Sequence, residues 1–206
     1  MIVKNNEQTF ENAPAGTAIA RCIGLVDIGT HTSDWKGQPI RRRQIIMKWE
    51  LPMELRHDGQ PFVVSNFYTL SLSEKANLRT DLVNWRGREF TREELIGFDL
   101  KNILDKGCQV TITEKENGKV KVTGVTGLPK GIELPARHND LVYFDLDFFD
   151  QEIFDGLSDG IKKMISDSEE YQAEFGERRD DQAASQANSF GENRAAQDLD
   201  DSQIPF

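Results

Sequence analysis

Apolar and polar positions alternate with period two in the first third of the chain. In residues 40–51, Ile45, Met47, Trp49 and Leu51 fall on one face while Gln44, Ile46, Lys48 and Glu50 fall on the other, the mark of a half-buried strand. Residues 17–29 mix small and branched side chains with few charges and predict an earlier strand, bent at Gly24. Residues 30–39, with Gly37 and Pro39, show neither period and predict a loop. Pro52 is expected to end the second strand and Asp58-Gly59 to turn the chain. An aromatic and β-branched run, residues 62–70, then predicts a third strand.

The period next becomes helical. After Ser73 as N-cap, Leu78, Leu82 and Trp85 share one helix face up to Gly87, and Thr91-Arg92-Glu93-Glu94 reads as a capping box for a short second helix ending near Gly97. Phe98, Leu100, Ile103 and Leu104 predict a further turn. Residues 108–114 and 119–125 predict two strands around Asn117-Gly118, a hairpin signal. Three strands, helices, then two strands is the element order of the oligonucleotide-binding barrel. The expected fold is therefore mainly β: a five-stranded OB-fold (Greek-key) barrel with helices between strands 3 and 4, plus a C-terminal helix and a disordered acidic tail. Another small Greek-key barrel or an SH3-like barrel would read similarly.

Four segments follow. Residues 1–16 are expected to be a flexible lead and 17–137 the barrel. Residues 138–175 are acidic and contain an amphipathic helix over 151–175, carrying Ile153, Phe154, Leu157, Ile161, Met164 and Ile165. Residues 176–206, rich in Gln, Ala, Asn, Asp and Ser, lack the apolar surface to fold and read as a disordered linker and tip. About 22 flexible residues reach roughly 25 Å.

Charge separates along the same boundary. Residues 1–137 hold 20 Lys or Arg against 17 Asp or Glu, and residues 138–206 hold 5 against 18, so the net charge of −10 belongs to the tail. An acidic whole therefore does not argue against a polyanionic partner for the front. Single strands are held by cations along phosphates and by rings that stack on bases. The cation candidates are Arg21, Lys36, the run Arg41, Arg42 and Arg43, Lys48, Arg86 and Arg88. Neighbouring residues of a strand face opposite ways, so at most two of the three consecutive arginines share a groove. The ring candidates are Trp35, Phe67 and Tyr68. Of the last two one must face inward, and the polar tip of Tyr68 suits a wet groove. Trp49 and Trp85 lie in register with apolar rows and are expected in the core.

Enzyme chemistry finds little support. His31, His57 and His138 are scattered, no metal-ligand spacing of Cys or His occurs, and no phosphate-binding loop is present. Asp145, Asp147 and Asp150 form a weak candidate for magnesium, read as acids at a helix start. No cofactor is expected. Cys22 and Cys108 lie in strand-like runs and are expected to be buried thiols. No apolar run approaches membrane-spanning length.

The last nine residues, 198–206, join an acidic run to an apolar end: Asp198, Asp200 and Asp201, then Ile204, Pro205 and Phe206. Pro205 pre-extends Ile204 and lowers the entropy cost of capture. This stretch resembles the acidic tip of bacterial single-stranded-DNA-binding proteins, although Ser202 and Gln203 interrupt the aspartates. The resemblance implies recruitment of replication and repair enzymes through those six residues. Separately, Asn84-Trp85-Arg86-Gly87-Arg88-Glu89-Phe90-Thr91, then Gly97-Phe98-Asp99-Leu100 and Gly107-Cys108, resembles a segment of phage-encoded proteins of the oligonucleotide-binding type. That resemblance spans residues 17–135. It implies a non-enzymatic protein that coats single-stranded DNA during replication or recombination in the cytoplasm of a bacterial host. Two other functions fit the sequence: an acidic decoy that occupies host pockets without touching DNA, and a metal-dependent nuclease.

Overall fold

A computed structural model describes residues 11–176. Five antiparallel strands form one strongly bent sheet: β1 (Gly16–Trp35), β2 (Gln38–Leu55), β3 (Pro61–Thr69), β4 (Gly107–Glu114) and β5 (Val120–Gly127). Their lateral order is β3-β2-β1-β4-β5, and a short sixth strand, β6 (Val142–Phe144), pairs with β1 in parallel. No ladder joins β3 to β5, so the sheet is not closed by hydrogen bonds. Residues 11–13 sit in that seam. The Asn12 side chain donates to Gly118 O at 2.7 Å, and Ala13 is buried. Residues 11–13 of the expected lead are thus held against the sheet, and residues 1–10 lie outside the described residues.

Period two places the main core where it was expected. Ile45, Met47, Trp49 and Leu51 of β2 point inward against Phe62, Val64 and Tyr68 of β3, and Cys22 and Cys108 are buried thiols. Helix α1 (Asn77–Arg86) closes this core with Leu78, Leu82 and Trp85, and the Trp85 indole donates to Gly107 O at 2.8 Å. Helix α2 (Arg92–Ile96) carries the full capping box of Thr91 and Glu94. A 3₁₀ turn, Leu100–Ile103, leads into β4.

Four expectations about the elements fail. β2 runs past Pro52 to Leu55, and α1 begins at Asn77 with Ala76 at its N-cap and no side-chain cap bond, so Ser73 does not cap it. Residues 30–39 are not a loop: β1 and β2 continue as a two-stranded arm whose turn is only Lys36-Gly37. Both faces of that arm are largely wet, so it leaves no alternating apolar signal. The single helix expected over 151–175 is instead α3 (Gln151–Asp155), α4 (Asp159–Ser166), α5 (Glu169–Tyr171) and a π-helical turn, Gln172–Gly176. Gly156 follows α3, and Ser168 caps α5 by accepting from Tyr171 N, so each break has a local cause.

These pieces wrap the outer face of β1 and β2. Val26, Ile28 and Ile46 project outward and are buried by Phe144, Leu146, Phe154, Leu157, Ile161, Ile165 and Tyr171, a second core on the far side of the sheet. Gly29 permits the approach. Its φ is 76°, and a Cβ there would stand 2.5 Å from the Ser168 side chain and 2.8 Å from Leu146.

Candidate nucleic-acid interface

The outer face of β2 and β3 divides into a covered part and an open part. The register pairs Ile46 with Phe67, Lys48 with Ser65 and Glu50 with Val63, so these six side chains share that face. Ile46 lies under the C-terminal helices. Glu50 is fully buried: its carboxylate accepts from His138 N at 3.1 Å and from Asn139 N and Nδ2 at 2.6 and 2.7 Å, which straps residues 138–139 across the sheet.

Phe67, Ser65 and Val63 remain open, with Phe67 50% and Val63 46% exposed. Lys48 stands diagonal to Phe67, and its stem lies on Gly24, where a Cβ would come within 3.1 Å of Lys48 Cβ. Burial pulls the Lys48 ammonium below its ordinary pKa, and no carboxylate among the described residues pairs with it. Arg42 lies three same-face positions before Lys48 along β2, exposed and without an ion-pair partner among the described residues.

Tyr68 corrects the choice between the adjacent rings. It is 2% exposed, its hydroxyl donates to Asp81 Oδ2 at 2.7 Å, and burial raises its pKa. A tyrosine in that position stacks on no base; Phe67 is the outward ring.

Most of the expected arginines are also engaged within the chain. Arg41 pairs with Glu169 of α5, and Arg43 with Asp27 and with Asp147, the latter at 2.8 Å. Hydrogen bonding to Asp27 holds Arg43 charged more firmly than usual. Arg21 donates to Asp105 at 2.8 Å and to Pro135 O at 2.6 Å, so it staples the crossing segment instead of facing an open groove. Arg86 and Arg88 both bind Glu94, and Arg86 lies over the rings of Phe90 and Phe98. Lys36 occupies the arm's turn at φ 55° and is exposed. Trp35 ends β1, and its side chain lies outside the described part of the structure. Asp198, Asp200, Asp201, Ile204, Pro205 and Phe206 lie outside the described residues.

Sequence reasoning missed one cationic feature. Lys115, Lys119 and Lys121 are exposed on the β4–β5 hairpin without ion-pair partners among the described residues. The signal was available: lysines two apart at the start of a strand, beside a turn, lie on one face.

The acids Asp145, Asp147 and Asp150 serve the chain itself. Asp145 accepts from Asp147 N and the Tyr143 hydroxyl, Asp150 caps α3 through Ile153 N, and Asp147 meets Arg43. Among the described residues no cluster of His, Cys, Asp or Glu is arranged to hold a metal ion, and no helix is long and apolar enough to cross a membrane. Comparison with protein-family models and with curated proteins finds no match.

Proposed function

We propose that the protein binds single-stranded DNA on the open face of β2 and β3, and that residues 198–206 recruit partner enzymes. The observation that carries the reading is the adjacency of an exposed ring, Phe67, to a partly desolvated ammonium, Lys48, with no carboxylate opposite it among the described residues. Such an ammonium gains from a phosphate what it lacks in the free protein, and a ring beside it takes a base; stacking contributes about 1–3 kcal/mol per base. The strand order β3-β2-β1-β4-β5, with β3 and β5 facing across a seam and helices between β3 and β4, supports an OB-type barrel. In that fold the second and third strands and the loop between strands four and five hold oligonucleotides. Lys115, Lys119 and Lys121 extend the cationic track there.

A second reading, an acidic interaction protein that never touches DNA, draws support from the internal pairing of Arg21, Arg41, Arg43, Arg86 and Arg88. Fluorescence anisotropy separates the two, using labelled single-stranded and duplex oligonucleotides at two salt concentrations, with and without magnesium. The proposal expects salt-sensitive binding to the single strand, weaker binding to duplex, and intact DNA in both. Absence of binding at low salt supports the second reading, and magnesium-dependent cleavage contradicts both.

A further inference from the structure

Helix α2 is built with care and then left unused. Its N-terminus holds a reciprocal capping box, and Glu94 is gripped by Arg86 and Arg88, yet none of its five residues is buried. Ile96 is 90% exposed and Leu95 40%, beside Leu70 at 40%. Together with Leu72, Phe98 and Leu100, these side chains line an apolar groove of about 230 Å³. Sequence pattern alone gives no reason to present an isoleucine so openly at the end of a capped helix.

The groove runs into a second cleft of about 220 Å³, with which it shares Leu70, Phe98 and Leu100. The cleft's polar wall is strongly one-sided. Among the lining residues Asp27, Asp99, Asp145 and Asp147 face one cation, Arg43, already bridged to Asp27 and Asp147, with Lys101 alongside against the Tyr143 ring at 4.3 Å, so the acids still outnumber the cations four to two. A nucleic acid is repelled from such a wall; a cationic chain is drawn to it.

We infer that this surface is a docking site for a basic amphipathic segment of a partner protein: bulky apolar side chains enter the groove around Ile96 while lysines or arginines meet Asp99 and Asp145. The occupant follows from charge complementarity and from the groove's size, which suits two or three apolar side chains. Phe67 and Lys48 line neither the groove nor the cleft.

The test uses the full chain and a fluorescein-labelled peptide of lysine and leucine, roughly 15 residues long and patterned as an amphipathic helix, with a glutamate-for-lysine counterpart. The cationic peptide is expected to bind, the acidic one not. Ile96→Ser is expected to weaken binding about tenfold or more, the equivalent of losing one buried apolar side chain. Folding should survive, because Ile96 makes no core contact. Asp99→Asn with Asp145→Asn should weaken binding and flatten its salt dependence. In methyl-labelled protein, the Ile96 resonance should shift on peptide addition. Equal affinity for wild type and Ile96→Ser, with an unmoved Ile96 methyl, overturns the inference by assigning peptide binding to the chain's diffuse negative charge. Self-association of the peptide-free chain that Ile96→Ser abolishes also overturns it, because the groove's occupant is then a second copy.

Discussion

Phe67 and Tyr68 illustrate how much a single strand residue can reveal. Alternation required one ring in and one out, and this holds; the choice went the other way because Asp81, on α1, satisfies the tyrosine hydroxyl on the inner side of the sheet. Nothing local to residues 62–70 announces that acceptor. Replacement of Phe67 by alanine should reduce single-strand affinity by about 1–3 kcal/mol, five- to 150-fold, without changing the thermal midpoint much. Lys48→Gln should instead lower the slope of log K against log salt by about 0.7, the signature of one lost phosphate contact. An anisotropy titration across salt concentrations distinguishes these two signatures. Glu94 belongs to the same scale. Hydrogen bonding from Arg88 holds its carboxyl at about 2, so its contribution to stability is complete above the unfolded carboxylate range near 4.5 and lost as pH falls toward 2. Acid-unfolding profiles of Glu94→Gln should show a shallower decline over that window than wild type.

At the level of elements, the apolar face of α1, the capped α2 and the paired strands were legible because their signals are local: a period, a capping box, a Gly-containing turn. The arm beyond Gly29 was not, since a ribbon wet on both faces carries no period. The broken C-terminal helix was half legible. Its apolar residues were identified, but their target, the outward Val26, Ile28 and Ile46, alternates on a strand already explained by its inner face. Ile165, fully buried there, should cost about 2–5 kcal/mol when truncated to alanine, read as a drop in denaturation midpoint. Glu169 has the opposite sign for binding. It occupies Arg41 at an exposed pair, so Glu169→Gln should free a phosphate-seeking guanidinium and strengthen single-strand binding a fewfold at low salt. Little stability should be lost, as exposed pairs contribute at most about 1 kcal/mol.

Across the whole molecule, charge segregation along the sequence does not become a bare cationic groove in space. The folded acidic segment, residues 142–176, returns to the sheet and pairs with Arg41 and Arg43, so the cations that serve the proposed face lie elsewhere: exposed Arg42 and half-buried Lys48 on the outer face, and exposed Lys115, Lys119 and Lys121 on the far hairpin. Sequence shows which residues carry charge; only the register and the crossing segment show which charges meet. The candidate site was thus legible in its residue types, in the outward placement of Lys48 and in that of one ring of the pair Phe67 and Tyr68, and illegible in the neutralisation of its arginines. The most direct test of the account is a backbone amide NMR titration of the full chain with an unlabelled oligodeoxythymidylate. Shifts concentrated in residues 42–48 and 63–67 are expected, with smaller ones at 115–121; a spectrum unmoved in those segments at saturating oligonucleotide would contradict it.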